Sequence, residues 1–390
     1  MKHIRTFQKK PEDFANFNAS LSVHSPGRIN LIGEHTDYNE GFVLPSAIDK
    51  KIKFQFRPNN TENFCRIFSE TFGKGFEFRI DEVFEKQAGW ENYILGVLEQ
   101  LKKMGKTPGG FDCILKSELP VGAGISSSAA LECGLAAGLN ELFNLGLSKL
   151  DIVKLSQKAE NEFVGNNCGI MDQYASVMSK SGNLILLDCR DLHSEYIHAD
   201  FKNCSLLLLN TKVSHSLADS EYNTRRAECE KAVSIIQKDH PEVKSLRDVD
   251  HKTLENYKKQ LDEKIYRRSL YVIEENERVI EATKALKEED LKQFGRLMYQ
   301  SHEGLQHQYE VSCKELDFMV DFSRDKNYIY GSRMMGGGFG GCTINLIENE
   351  HIDHYSTELS RAYKEKYGID PDVIKVLPDA GTTVVKEAKP

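Results

Sequence analysis

Residues 122–132 read GAGISSSAALE: two glycines and three consecutive serines ahead of an alanine-rich segment, with no lysine among them. Gly122 and Gly124 let backbone N–H groups approach a ligand closely. The first turn of the helix expected after them adds unpaired N–H groups and the positive end of a dipole worth roughly half a charge. That chemistry suits phosphate. A Walker loop would place Lys and then Ser or Thr after its last glycine, whereas Ile125, Ser126 and Ser127 follow Gly124 here. The stretch alone predicts an anion site and names no ligand.

The chain around it has 390 residues, beyond the size at which one core stops growing, so two domains are expected. With 40% hydrophobic and 28% charged residues it has the composition of a globular protein that needs no membrane. A net charge of -8 disfavours nucleic acid as a partner. It still admits an anionic small molecule where backbone dipoles, a metal ion or a few cationic side chains reverse the field. The nine cysteines form no C-x-x-C pair, and neither His nor Cys clusters at ligand spacing, so they read as small core residues in a reducing compartment. The amino terminus, MKHIRTFQKKPEDF, lacks the apolar region of a signal peptide, and runs such as CSLLLLN are far short of a membrane span. A cytoplasmic protein is expected, as a monomer or weak homo-oligomer.

Alternation of apolar and polar residues predicts strands at KIKFQF (51–56) and FDCILK (111–116). In WENYILGVLEQLKKM (90–104), Trp90, Tyr93, Ile94, Val97, Leu98 and Leu101 fall on one helical stripe that should pack on a sheet. A second helix should begin in the serine run. A third fits 148–165, with Ser148 as N-cap and Gly165 as terminator. LILLDC (184–189) and SLLLLNT (205–211) read as buried strands. From about 218 to 322 the pattern is long, charged and helical, with an exposed loop expected around 238–249. TINLI and VIKVL return to strand, separated by a helix over 351–368. This irregular mixture predicts α+β, divided near residue 200 into units 1–200 and 201–390.

Three segments hold residues that a core would not choose. In SPGRINLIGEHTDYNEGFVLP (25–45), Glu34, His35 and Asp37 follow a tight Gly33 turn and could face one polyhydroxylated ligand, or simply cap a solvated loop. In AENEFVGNNCGIMDQYAS (159–176), Asp172 sits beside the apolar stripe of Met171, Tyr174 and Val177, which puts its carboxylate at the margin of a core. Glu160 and Asp172 also admit an ordinary reading as surface or first-turn carboxylates. GSRMMGGGFGGC (331–342) packs five glycines around Phe339, as a flexible hairpin or a close backbone approach to another segment.

PGRINLIGEHTDYNEGFVLP, LPVGAGISSSAALE and GSRMMGGGFGGC, in this order, resemble the three motifs of the GHMP small-molecule kinase superfamily, and the first is closest to the galactokinase signature. WENYILGV, GIMDQYAS, LLDCRDL and KVSHSLADSEYNTRRAECE (212–230) extend the resemblance over most of the chain. It implies an amino-terminal domain like ribosomal protein S5 domain 2, a ferredoxin-like carboxy-terminal domain and a site in the cleft between them. It also implies an ATP-dependent sugar 1-kinase acting on galactose, with Mg2+ as cofactor.

By the same resemblance, Asp172 is the catalytic carboxylate at the anomeric hydroxyl, and Arg28 is its partner and a stabiliser of the transferring phosphoryl group. A guanidinium suits both tasks. Glu34, His35, Thr36, Asp37 and Tyr222 match sugar-binding positions. Gly122, Ala123, Gly124, Ile125, Ser126, Ser127 and Ser128 match the triphosphate loop, Ser128 and Glu160 the magnesium site, and Ser69 and Trp90 the surroundings of the base; the helical stripe gives Trp90 a core explanation as well. Met335 stands where many relatives have Thr. A kinase for N-acetylgalactosamine or arabinose, and a non-catalytic galactose and ATP sensor, are the alternatives; the intact SSSAALE, Asp172 and Arg28 favour the kinase.

Overall fold

The computed structural model describes residues 4–214 and 218–386. Residues 215–217, part of the quoted 212–230 segment, lie outside them. The first half runs β1 (Arg5–Phe7), β2 (Leu21–Asn30), β3 (Phe42–Val43), β4 (Pro45–Pro58), β5 (Phe64–Ser69), β6 (Lys74–Arg79), α1 (Glu91–Lys103), β7 (Phe111–Ser117), α2 (Ser127–Phe143), α3 (Lys149–Lys158), α4 (Met171–Met178), β8 (Asn183–Asp188) and β9 (Ser194–His198). The second runs β10 (Cys204–Ser214), α5 (Ala218–Ile236), α6 (His251–Tyr257), α7 (Glu263–Lys287), α8 (Leu291–His307), α9 (Lys314–Arg324), β11 (Ile329–Met334), β12 (Gly340–Glu348), α10 (Ile352–Tyr367), β13 (Asp372–Val376), β14 (Pro378–Asp379) and β15 (Thr383–Lys386). The α+β class is as expected.

One sheet follows the order β1-β6-β5-β7-β4-β2-β15, with β14 also on β4, and only β5 and β7 pair in parallel. Along β4 the apolar set Ile52, Phe54 and Phe56 is buried while Lys53 and Gln55 are not, the alternation of a half-covered sheet. On β7 the expected alternation fails, because both faces are covered. Cys113 and Leu115 join the main core, Ile114 packs with Phe14 and Phe68, and buried Asp112 is satisfied by Arg57 and Arg66.

A second sheet, β11-β12-β10-β13, is wholly antiparallel. The leucine run on β10 divides between its faces. Leu206 and Leu208 join the main core, whereas Leu207 and Leu209 pack with Met319, Tyr355 and Leu359 of α9 and α10. A third sheet, β3-β8-β9, lies beside the loop that follows β2.

Ser148 caps α3 in a reciprocal box with Asp151, as expected. The same helical stretch then widens into a π turn over Ala159–Val164 before Gly165 ends it at φ 96°, and that turn presents Glu160 inward. The segment around 238–249 is the connection expected, exposed at Lys238, Asp239, Pro241, Glu242 and Lys244, but it is anchored from within. Val243, Leu246 and Val249 are buried, and Arg247 stacks on Phe42 and pairs with Asp188.

Candidate active site

The loop ahead of α2 is shaped by alternating handedness. Gly122, Gly124 and Ser126 take φ of 75°, 69° and 56°, while Ala123 and Ile125 between them point into the core. The apolar side chains anchor the loop, and its backbone turns towards the cleft at the start of α2, an arrangement that gathers N–H groups for an anion. The N–H of Arg28 donates to the Ile125 carbonyl at 3.0 Å, which ties the loop to β2.

Arg28, 4% exposed, reaches across to Asp172 in the first turn of α4. Its Nε donates to Oδ1 at 2.7 Å and a terminal nitrogen to Oδ2 at 2.9 Å, while the other terminal nitrogen donates to the Gly124 carbonyl at 2.7 Å. This two-pronged geometry fixes the carboxylate's plane. The Ser126 hydroxyl also donates to Asp172 Oδ2 instead of capping α2.

After β2 the chain makes a tight loop over 31–41. The Thr36 hydroxyl bridges the carbonyls of Gly33 (2.9 Å) and Phe42 (2.6 Å), while α7 holds both ends: Glu275 accepts from Gly33 N–H and Asn276 from Phe42 N–H, each at 2.8 Å. Glu34 is buried in an ion pair with Arg333 (3.1 Å) and accepts from Gly336 N–H at 2.9 Å, so it joins the loop to the glycine hairpin between β11 and β12. Asp37 occupies the space where a side chain at Gly169 would stand: a Cβ there would lie 2.0 Å from Asp37 Oδ2. Its carboxyl is pushed up to about 7, by burial first and by the charge of Asp172 second. His35, held at φ 64°, is driven down to about 3 by burial and by Arg225, and is therefore neutral at physiological pH. Its ring is enclosed by Tyr38, Tyr222 and Tyr309.

On the far side of α2, Ser128 Oγ lies 3.4 Å from Glu160 Oε1. Glu160 accepts from Asn166 (2.8 Å) and Gln173 (3.0 Å), and its carboxyl is raised to about 7 by burial and the nearby Asp172 charge. Glu132, one helical turn beyond Ser128, is fully buried beside it and is raised further by the same desolvation and by Glu160. Among the described residues no cationic side chain pairs with either carboxylate.

Three family descriptions match the chain in sequence order: the galactokinase galactose-binding signature over residues 5–58, the GHMP kinases N terminal domain over 92–180 and the GHMP kinases C terminal over 282–365. The galactokinase of Thermosipho africanus is 42% identical over 94% of this chain and 100% of its own length. The chain belongs to the galactokinase family. The family's Fusobacterium nucleatum member is 40% identical over 89% of this chain and 90% of its own. Lactococcus lactis galactokinase, solved with galactose, superposes with a TM-score of 0.90 at 34% identity, over 95% of this chain and 98% of that one. Methanococcus jannaschii mevalonate kinase, at 18% identity and a TM-score of 0.67, shares the two-domain GHMP fold.

Against the expectations from the galactokinase family motifs, one cleft gathers Arg28, Glu34, His35, Asp37, Gly122, Gly124, Ile125, Ser126, Ser127, Ser128, Glu160, Asp172 and Tyr222. Thr36 and Ala123 lie outside its lining, with Thr36 fastening the loop and Ala123 in the core. Ser69 and Trp90 also stand apart. Ser69 is buried and accepts from Phe72 N–H, and Trp90 packs against Phe72 and Phe76 at centroid distances of 6.0 and 5.4 Å. Met335 is buried at the cleft wall, and the hairpin lines the cleft with Met335, Phe339 and the five glycines around it. Sequence reasoning missed Glu132, Asn166, Arg225 and Arg333. The i,i+4 spacing of Ser128 and Glu132 was a usable signal for the first; Asn166 is placed by its neighbour Glu160 across the π turn, and Arg225 and Arg333 owe their position to contacts distant in sequence.

Proposed function

We infer that this chain transfers the γ-phosphoryl group of ATP to the anomeric hydroxyl of galactose, giving galactose 1-phosphate and ADP. The observation that carries the reading is Asp172, gripped by Arg28 and Ser126 where the glycine loop meets the sugar loop. In the reaction the C1 oxygen bonds to the γ-phosphorus as the bond to the β,γ-bridging oxygen breaks, and Asp172 takes the hydroxyl proton. Arg28 uses three N–H groups on Asp172 and Gly124, which leaves two for phosphoryl oxygens. The N–H groups at the start of α2 and the loop from Gly122 to Ser128 receive the phosphates. Asp37, Glu34, His35 and Tyr222 receive the sugar hydroxyls.

The residues fit magnesium: Ser128 and Glu160 offer two oxygens, and two buried carboxylates with no cationic partner among the described residues favour a cation. Bound there with ATP, the ion supplies charge neutralisation for the phosphate oxygens. Nine unpaired cysteines support a reducing, cytoplasmic setting.

The test is ADP release across hexoses, pentoses and amino sugars, run beside Asp172→Asn. Galactose is expected to be the preferred substrate, and the variant to lose about three orders of magnitude in kcat. Absence of turnover with every sugar defeats the kinase reading; preference for another sugar defeats the galactose assignment.

A further inference from the structure

His35 ends a hydrogen-bonded chain that runs away from the cleft. Its Nδ1 lies 2.8 Å from the Tyr38 hydroxyl, Tyr38 lies 2.7 Å from the Tyr309 hydroxyl, and Tyr309 lies 3.3 Å from Cys229 Sγ. The other ring nitrogen, Nε2, is buried and makes no hydrogen bond of ordinary geometry among the described residues, although the Gly337 backbone lies close enough to the ring to favour its protonation and His35 lines the cleft. His35 is 3% exposed, and rings of Tyr222 and Tyr309 at centroid distances of 5.3 and 4.9 Å hinder its rotation. A neutral imidazole carries one proton, and the partner of one nitrogen decides what the other can do.

The two directions of the chain are not equivalent. A phenol donates better than it accepts, because its oxygen lone pair is shared with the ring, whereas a bare imidazole nitrogen is a strong neutral acceptor. If Cys229 S–H donates to Tyr309, Tyr309 to Tyr38 and Tyr38 to Nδ1, the series ends on its best acceptor. The reverse direction ends on sulfur, a weak one.

We propose that the Tyr38–Tyr309–Cys229 chain fixes His35 as the Nε2–H tautomer, making it a dedicated donor that selects a sugar hydroxyl oxygen. This deepens the proposed galactose site and rests on that reading. The cleft's carboxylates, Glu34, Asp37 and Asp172, can receive the protons of sugar hydroxyls, but a donor is needed to test for the oxygen of a hydroxyl already giving its proton away. His35 supplies that second half of the readout. Tyr38, Tyr309 and Cys229 are positioning residues, with no part in the transfer itself.

Two measurements decide it, and the first needs no sugar. Imidazole 15N shifts of His35 in the full chain are expected to report Nε2–H in the wild type and a tautomer mixture in Tyr38→Phe, with a weaker change in Tyr309→Phe. The Nδ1–H tautomer in the wild type, or no change in either variant, overturns the proposal.

The second is kcat/KM for galactose and its monodeoxy analogues. Tyr38→Phe is expected to raise KM for galactose about 3- to 10-fold at unchanged kcat and unchanged KM for ATP, the loss of one hydrogen bond. With the one analogue that lacks the hydroxyl read by His35, wild type and variant should converge. An equal loss on every analogue would mean general damage and overturns the proposal. Should the wild type fail to phosphorylate galactose, the proposed function falls, while the 15N shifts still judge the tautomer. If Tyr38→Phe does not fold, Tyr309→Phe carries both measurements.

Discussion

The two carboxylate groupings on either side of the α2 amino terminus differ in one respect. Asp172 has its counter-charge built in, because Arg28 supplies two hydrogen bonds and Ser126 a third. Among the described residues Glu160 and Glu132 have only the neutral donors of Asn166, Gln173 and Ser128, and burial has driven both carboxyls upward. The first grouping is complete before anything binds. The second is cation-poor, and what completes it must arrive with the ligand. Asp37 belongs with the second group, raised to about 7 in the loop that follows β2.

The largest test of that contrast removes the built-in charge. Arg28→Ala is expected to lower kcat by about three orders of magnitude, because Asp172 loses its orientation and the phosphoryl oxygens lose a donor. A loss below tenfold in steady-state ADP release would place the essential charge elsewhere. The second test addresses the side that lacks a cation. Glu160→Gln should weaken Mg2+-dependent nucleotide binding by about 10- to 100-fold, read by calorimetric titration with and without the metal, and should leave metal-free nucleotide binding nearly unchanged. Equal weakening in both titrations would assign Glu160 to the nucleotide instead of the ion.

The smallest effect is one of pH and stability. A carboxyl raised from its ordinary value to about 7 contributes stability below the unfolded value and loses it as pH climbs through 7. Asp37→Asn cannot ionise, so its melting temperature relative to wild type, without ligands, should rise between pH 5 and pH 8. The gain should be about 1–2 kcal/mol at the upper end, discounted for the partial exposure of Asp37. A difference that stays flat across that range would mean that Asp37 is already satisfied as an anion.

Much of this was legible because local signals agreed with the tertiary outcome. The Ser148 cap, the period-two strand at 51–56 and the leucine run on β10 needed only neighbours in sequence. The glycine loop was legible as an anion site, and its serines as helix start, but the Ser126 hydroxyl turns to a residue 46 positions away. The π turn that presents Glu160 had no sequence signature, since the helix ends at Gly165 before a shift in the apolar pattern could show. The anchoring of the 238–249 loop comes from Val243, Leu246 and Val249 packing with Ile236 and Leu254, and from Arg247 reaching Phe42 and Asp188, contacts no local pattern encodes. The same holds for Glu275 and Asn276, which look like exposed helix residues until Gly33 and Phe42 are seen to depend on them.

The final strands return to the first sheet. β15 pairs with β2, the strand that bears Arg28, and the N–H groups of Gly381 and Thr382 donate to the Ser179 and Ser176 carbonyls at the end of the helix that begins with Met171 and Asp172. The Thr382 hydroxyl also lies 3.0 Å from that of Ser25 on β2. On a ribosome, the strand and helix that bring Arg28 to Asp172 are made well before the residues that clamp them together. The pairing of Arg28 with Asp172 therefore waits on chain made some two hundred residues after the helix, and a nascent chain stalled before residue 381 would carry both side chains while lacking the clasp that joins their elements.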